Sequence, residues 1–398
     1  MRVLLFTGKG GVGKTTVAAG TAALAAAAGH KTLVLSTDPA HSLADALGLA
    51  EPAPAEGPVE IDSGLWLLHV DVRERFVKAW GEVQRYLLDV LDSAGVDVME
   101  AEELTVLPGS EEVLALLEVR DRVRSGAWDV VVVDCAPTGE TLRLLSLPDA
   151  LGWYMDRIWP AERRMLSALR PVLRRASGVP MPKNDVLDAV ERLHADLSDV
   201  REVLTSPESS VRLVTTPEAV VFAEARRTLT SLSLYGYRVD GVIVNRLFPV
   251  DGADDWRAGW VAAQVVQLAR IEADCEPLPV WRSMYQSSEP VGVDQVRQVA
   301  AKIYGDDDPI EVRETIEPMT VERDGAGYCL SLSLPLVARG DVELGRRGDE
   351  LVVTVGPHRR ILSLPSGLRR CTVTRAKIAD GRLLVDFIPD PGLWMRDR

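Results

Sequence analysis

The run Gly8-Lys9-Gly10-Gly11-Val12-Gly13-Lys14-Thr15-Thr16 has the composition and spacing of a loop that closes on phosphate. Glycines let successive backbone N–H groups turn inward onto phosphate oxygens, and a helix starting there presents its positive end to the same charge. Lys14 adds a cation for the β and γ phosphates, and the Thr15 hydroxyl is a ligand for Mg2+. The apolar run Val3 to Phe6 precedes the loop and an Ala-rich helical stretch follows it, the strand-loop-helix context this chemistry requires. Gly10, Gly11, Val12, Gly13, Lys14, Thr15 and Thr16 are therefore the candidate nucleotide-binding residues.

Two carboxylates end apolar runs, where an α/β sheet offers the carboxyl ends of its strands to a ligand. Asp134 closes Val130 to Val133 and reads as the acidic residue that holds Mg2+, directly or through water, rather than as part of a surface turn. Asp38 follows the run Thr32 to Ser36 in Ser36-Thr37-Asp38-Pro39-Ala40-His41-Ser42. Its carboxylate either orients or deprotonates water, or caps the helix entered through Pro39, and position alone leaves the two equal.

The elements that must position these groups follow from the pattern of apolar residues. Val3 to Phe6, Thr32 to Ser36, Leu65 to Val70, Val130 to Val133, Val211 to Val214 and Val239 to Val244 are continuous rather than alternating, as strands buried on both faces are. Helix-length segments separate them, which predicts an α/β fold with a mainly parallel sheet. The pattern ends near residue 305. Gly305-Asp306-Asp307-Asp308-Pro309 combines a breaker, three like charges and a proline, so a linker is expected over 306–317 between a unit spanning 1–305 and a second over 318–390. In that tail the period changes to two at Tyr328, Leu330, Leu332 and Leu334 and again at Leu351, Val353 and Val355, while Asp380-Gly381 has the composition of a two-residue hairpin turn. An all-β sandwich of antiparallel strands is predicted, with Arg346-Arg347-Gly348 and His358 in solvated loops.

The 398 residues carry 45 basic and 59 acidic side chains, a net charge of −14, without a Lys/Arg run, which argues against nucleic acid as a partner. Four cysteines without CxxC spacing suit a reducing compartment, and no apolar stretch is long enough for direct membrane insertion, so a cytoplasmic location is expected.

Together, Gly8 to Thr16, Asp38-Pro39-Ala40-His41-Ser42-Leu43, Asp134-Cys135-Ala136-Pro137-Thr138-Gly139 and Thr141-Leu142-Arg143-Leu144-Leu145 resemble, in order, the motifs of ArsA-type ATPases. That family includes the arsenite-pump ATPase and the ATPases that deliver tail-anchored membrane proteins. The resemblance covers about residues 1 to 300. It implies Mg-dependent ATP hydrolysis within a homodimer of the deviant phosphate-loop (Walker A) subclass, with Asp38 activating water and Lys9 reaching the partner's nucleotide. Glu218 and Asn245 are similar to the family's adenosine-contacting pair. Helical segments Arg73 to Leu107 and Leu151 to Val203 correspond to a client groove, in which Trp153, Met155, Ile158, Trp159 and Met165 recur at helical spacing; the same stripe equally suits an ordinary core. Cys135 and Glu140 depart from the second switch, the zinc-binding CxxC is replaced by Asp254-Asp255-Trp256-Arg257, and the thiol cluster of the arsenite branch is missing. The tail, over about 318 to 390, resembles the α-crystallin domain of small heat-shock proteins through Ala376-Lys377-Ile378-Ala379-Asp380-Gly381-Arg382-Leu383.

The expectation is a homodimeric targeting factor or chaperone that binds hydrophobic client segments, tail-anchored proteins among them, in a nucleotide-gated groove. The alternative is the energising subunit of an arsenite or other metalloid efflux pump. A partition ATPase of the MinD type fits less well, since the chain ends in β pattern rather than a basic amphipathic helix.

Overall fold

The computed structural model describes residues 1–37, 42–49, 57–69, 88, 110–135, 184–252, 254–313 and 317–394. The segments carrying Asp38, Glu140, Arg73 to Leu107 (apart from residue 88) and Leu151 to Met155, Trp159 and Met165 lie outside the described residues.

Eight strands form one sheet: β1 (Arg2–Thr7), β2 (Thr32–Ser36), β3 (Val59–Asp62), β4 (Leu65–Leu68), β5 (Val130–Asp134), β6 (Ser209–Thr215), β7 (Val239–Leu247) and β8 (Val280–Met284). Their order is β3-β4-β2-β5-β1-β6-β7-β8, parallel throughout except for the antiparallel β3–β4 edge pair. The continuous apolar runs are explained by two cores, one on each face. Val3, Leu5, Leu33, Leu35, Val131 and Val133 point into one, while Leu4, Phe6, Val34, Val130 and Val132 point into the other. Successive side chains of a strand face opposite ways, so a strand covered on both sides must be apolar at every position.

Helices cover both faces: α1 (Lys14–Ala27), α2 (Ser42–Ala46), α3 (Ser110–Arg124), α4 (Asn184–Leu204), α5 (Ala219–Tyr235), α6 (Asp255–Cys275) and α7 (Val293–Tyr304). The Ala-rich sequence of α1 has a packing cause. A Cβ at Gly20 would stand 2.3 Å from the Val296 carbonyl oxygen, so α1 and α7 approach closely enough to exclude side chains there. No helix among the described residues is long and apolar enough to cross a membrane.

Charge is also buried between the strands. Arg2 Nη2 donates to Asp240 Oδ2 at 2.7 Å, and Arg212 reaches the same carboxylate through Nε and Nη2, each at 3.1 Å. Arg212 Nη1 donates to the Tyr304 hydroxyl at 3.0 Å, and that hydroxyl shares a 2.8 Å hydrogen bond with Thr21 on α1. The side chains of Arg212 and Asp240 are both 0% exposed. Burial pulls the Arg2 guanidinium below its ordinary range, against the opposing pull of Asp240.

The tail folds as two antiparallel sheets, β14-β15-β10-β9 and β11-β12-β13, built from β9 (Met319–Asp324), β10 (Gly327–Ser333), β11 (Val342–Arg347), β12 (Glu350–Val355), β13 (His358–Ser363), β14 (Cys371–Ala379) and β15 (Arg382–Pro389). Both sheets face one core that includes Leu330, Leu332, Leu351, Val353, Leu383, Val385 and Phe387. The β14–β15 hairpin turns at Asp380 and Gly381, with φ of 50° and 67°, the paired positive angles that the Asp-Gly signal requires. Arg346 and Arg347 belong to β11 and His358 to β13, not to solvated loops, and the His358 ring meets Tyr235 of α5 edge-on at 6.2 Å. Alternating burial of β11 leaves every second residue in solvent, which gives it the composition of a loop.

The sandwich core is not closed by its own residues alone. Leu234 of α5 is fully buried within it. Within the expected linker, Asp307 accepts from the Trp281 indole at 2.8 Å and lies 3.5 Å from Arg313.

Asp240→Ala leaves two buried guanidinium groups facing each other, and breaking a buried ion pair on one side typically costs about 3–5 kcal/mol. Urea denaturation should show a loss of that size, whereas a midpoint close to wild type would mean that the strands are held without this carboxylate.

Candidate nucleotide site

The phosphate loop joins β1 to α1 at the carboxyl edge of the sheet, and β5 and β6 flank β1 there. Gly13 caps α1 at φ 91°, and a Cβ at that position would lie 2.4 Å from Asn245 Nδ2. Only glycine satisfies both the backbone angle and the contact. The same Asn245 amide donates to the Val12 carbonyl at 2.8 Å and accepts from the Arg246 N–H at 2.9 Å. Asn245 thus braces the loop from β7. Its amide keeps one N–H and one lone pair for a ligand, since a primary amide has two of each. Gly10 and Gly11 face the other way, exposed, with nothing within 4 Å of where a Cβ would be. A braced loop at a helix N-terminus with its glycines open outward is a fit for phosphate.

Behind the loop, Thr15 and Asp134 come together. Thr15 Oγ1 donates to Asp134 Oδ2 at 2.8 Å, and the Ser42 hydroxyl lies 3.5 Å from Thr15 Oγ1. The register of β5 against β1 and β2 sets Asp134 opposite Phe6 and Ser36, which places its carboxylate under the start of α1. Asp134 is 1% exposed. A hydroxyl and a buried carboxylate are hard oxygen donors, so this pair fits Mg2+, which would supply charge neutralisation for phosphate oxygens. Thr37 donates its N–H to the Asp134 carbonyl at 2.9 Å, so the chain on either side of residues 38–41 is tied to this pair.

Lys14 is buried, with Nζ 3.3 Å from the Lys9 carbonyl, and Thr16 follows Thr15 in the first turn of α1. The Lys9 ammonium turns outward to Glu224 of α5, 3.7 Å away. Glu218 stands at the N-cap of α5 beyond the end of β6, exposed, and its side chain accepts no capping hydrogen bond. The carboxylate is thus not engaged by the helix it precedes.

The sequence model of the family described as anion-transporting ATPases matches residues 1–305. The chain belongs to this ArsA ATPase family. It is accordingly an ATP-hydrolysing enzyme. A second model, of an HSP20-like domain found in ArsA proteins, matches residues 325–387, in agreement with the α-crystallin resemblance and the antiparallel sandwich. The "Putative arsenical pump-driving ATPase 1" of Aquifex aeolicus is 35% identical over 393 residues, covering 97% of this chain and 99% of its own. A similarly named protein of Chlorobaculum tepidum is 39% identical over 391 residues, covering 97% and 96%. "ATPase GET3B" of Arabidopsis thaliana is 34% identical over 270 residues, covering 62% and 64%.

Two features of this ArsA ATPase beside Asn245 were not legible in the sequence. Arg246 adopts φ 61°, uncommon for a residue with a side chain, directly after Asn245. Beside it, Phe248 stacks on Tyr285 at 5.5 Å, with Trp256 and Trp260 against the same ring and both substantially exposed. The i, i+4 spacing of the two tryptophans on α6 was the available signal.

Asn245→Ala removes the brace on Val12 and leaves a buried carbonyl unpaired, a loss of about 1–3 kcal/mol for such groups. Titration with a fluorescent ATP analogue should show affinity lowered about tenfold. Unchanged affinity would mean that the loop holds its shape without β7.

Proposed function

We propose that two copies of this chain form an ATP-gated clamp for apolar polypeptide segments, acting in the cytoplasm as a targeting factor or chaperone. Mg2+ would be held by Thr15 and Asp134, and the adenosine by Glu218 and Asn245. Asp38, carried between Thr37 and Ser42, would activate the attacking water. Lys9 would act on the partner's nucleotide, which puts this chain in the deviant Walker A subclass. The unit of residues 1–305 would supply the clamp and its groove from 73–107 and 151–203, with 318–390 as a second client-binding module joined by 306–317.

The observation that carries the client reading over a metalloid one is the state of the thiols. Cys135 and Cys275, the cysteines nearest the ATPase core, are buried. Burial, reinforced by Asp134, pushes the Cys135 thiol far up, and burial beside Asp274 pushes Cys275 up to about 12. Neither offers the thiolate that a soft metalloid would need. The fused sandwich adds support, because a second binding module raises effective client concentration without tighter contacts. The exposed Trp256, Trp260, Met284 and Tyr285 beside the Asn245 strand form an apolar surface suited to the second copy. The alternative, an ATPase that energises a metalloid pump, is favoured by the names of the Aquifex and Chlorobaculum relatives.

Capture of an isolated transmembrane-helix peptide, measured with and without an ATP analogue, should depend on nucleotide and fall in Met155→Asp with Trp159→Asp. Capture that ignores both, together with ATPase activity stimulated by arsenite or antimonite, would replace this reading with the pump.

The two loop lysines should separate in kinetics. Lys14→Ala is expected to abolish nucleotide binding, while Lys9→Ala keeps binding and loses about 10³-fold in kcat, the scale of charge stabilisation supplied in trans. Equal loss of binding in both variants would remove Lys9 from the trans role.

A further inference from the structure

The helix α5 touches the nucleotide site at one end and the HSP20-like sandwich at the other. It is 17 residues long, about 25 Å at 1.5 Å per residue. Glu218 stands at its N-cap, and Glu224, in its second turn, holds the Lys9 ammonium. At its far end four contacts reach the sandwich. Thr230 Oγ1 donates to the Pro335 carbonyl at 2.7 Å. The Leu234 side chain completes the sandwich core. The Tyr235 ring meets His358. The guanidinium of Arg360, on β13 and only 5% exposed, donates through Nη1 to the Leu234 carbonyl.

The last contact has a physical reason. The final carbonyls of a helix lack intrahelical partners and carry partial negative charge, so a cation placed there is stabilised. Gly236 ends α5 in the left-handed conformation at φ 88°, with its N–H on the Leu232 and Ser233 carbonyls, and a Cβ there would lie 3.3 Å from Arg360 Nη2. A side chain there would be strained at that angle and would crowd the guanidinium by a few tenths of an ångström. A helix is stiff along its axis and packed cores do not deform continuously, so a displacement imposed at Leu234 is carried to Glu224 and Glu218.

We propose that Arg360 is a positioning residue for ATP turnover: by capping α5 from the HSP20-like sandwich, it sets the helix that carries Glu218 and the Lys9–Glu224 pair, so that docking of the sandwich and occupancy of the nucleotide site are coupled. The proposal rests on Glu218 and Lys9 belonging to the nucleotide site. Coupling between two binding events is reciprocal, so nucleotide must also tighten the sandwich contact.

The test uses the full chain. Arg360→Ala should raise both the KM for ATP and the Kd for a non-hydrolysable ATP analogue by about fivefold or more, the lower end of the range for coupled sites, and Arg360→Lys should recover part of the loss. In the wild-type chain the analogue should slow hydrogen exchange at the amides of Gly236 and Tyr237. Glu218→Ala is the control for the site reading: wild-type affinity in that variant would withdraw Glu218 from the site and the proposal with it. Weakened binding in Glu218→Ala beside wild-type KM and Kd in Arg360→Ala would overturn the coupling alone. If Arg360→Ala does not fold, the exchange experiment decides, and protection at 236–237 unchanged by the analogue overturns the proposal.

Discussion

One buried carboxylate ties together three neighbouring strands whose carboxyl ends lead to the candidate site. Asp240 opens β7 and is shared by Arg2 at the start of β1 and Arg212 on β6. The far ends of these strands lead to the phosphate loop, Glu218 and Asn245. A one-residue slip between neighbours would turn every core side chain to the wrong face, and it would also strand a guanidinium in an apolar layer. A buried ion pair adds little net stability compared with apolar residues of the same volume, but leaving one partner alone is costly. The contribution of this network is therefore to register. Tyr304 and Thr21 extend it to α7 and α1, so the helix that begins at the loop is tied to the same anchor.

A different constraint acts between the two folded units. The sandwich shares Leu234 with the helix it docks on, and the bidentate pair of Arg238 with Glu317, at 3.0 and 3.2 Å, ties the turn between that helix and β7 to the start of the tail. Domain contacts within a chain are usually polar and tolerate relative motion. A fully buried leucine from one unit in the core of the other opposes such motion, since its withdrawal would leave a void and return apolar surface to water.

What could be read from the sequence and what could not divides along the range of the interaction. The phosphate loop, the buried strands and the Asp380-Gly381 hairpin are local, each decided by a few neighbouring residues. The strands that escaped reading, β3, β8, β9 and β11, have at least one polar or exposed face: β8 alternates between Trp281 and Ser283 inside and Arg282 and Met284 outside, and β9 is exposed along most of its length. Such one-faced strands have the composition of loops. The role of Asn245 as a brace on Val12 joins residues 233 positions apart, and Arg360 reaches Leu234 across 126. No spacing rule records a partner at that distance. Glu218 and Asn245 were singled out only by resemblance to a family pattern, and their contact with adenosine belongs to the proposal.

The pairing of Lys9 with Glu224 bears on how the proposed dimer would close. Side chains 41% and 30% exposed, 3.7 Å apart, make a contact worth about 0–1 kcal/mol, because water screens the charges and two long side chains lose freedom in holding it. A phosphate oxygen in a water-excluded interface attracts the same ammonium far more strongly, since Coulomb energy rises as the local dielectric falls. In the proposed dimer the exchange would therefore run from Glu224 to phosphate once the interface closed. Before closure, Glu224 would keep the ammonium at the loop's outer edge, leaving Lys14 as the proposed cation of the chain's own site. A stronger, fully buried pair at this position would oppose closure by the cost of breaking it, so a contact as weak as Lys9–Glu224 suits a lysine that, in the proposed cycle, changes partners.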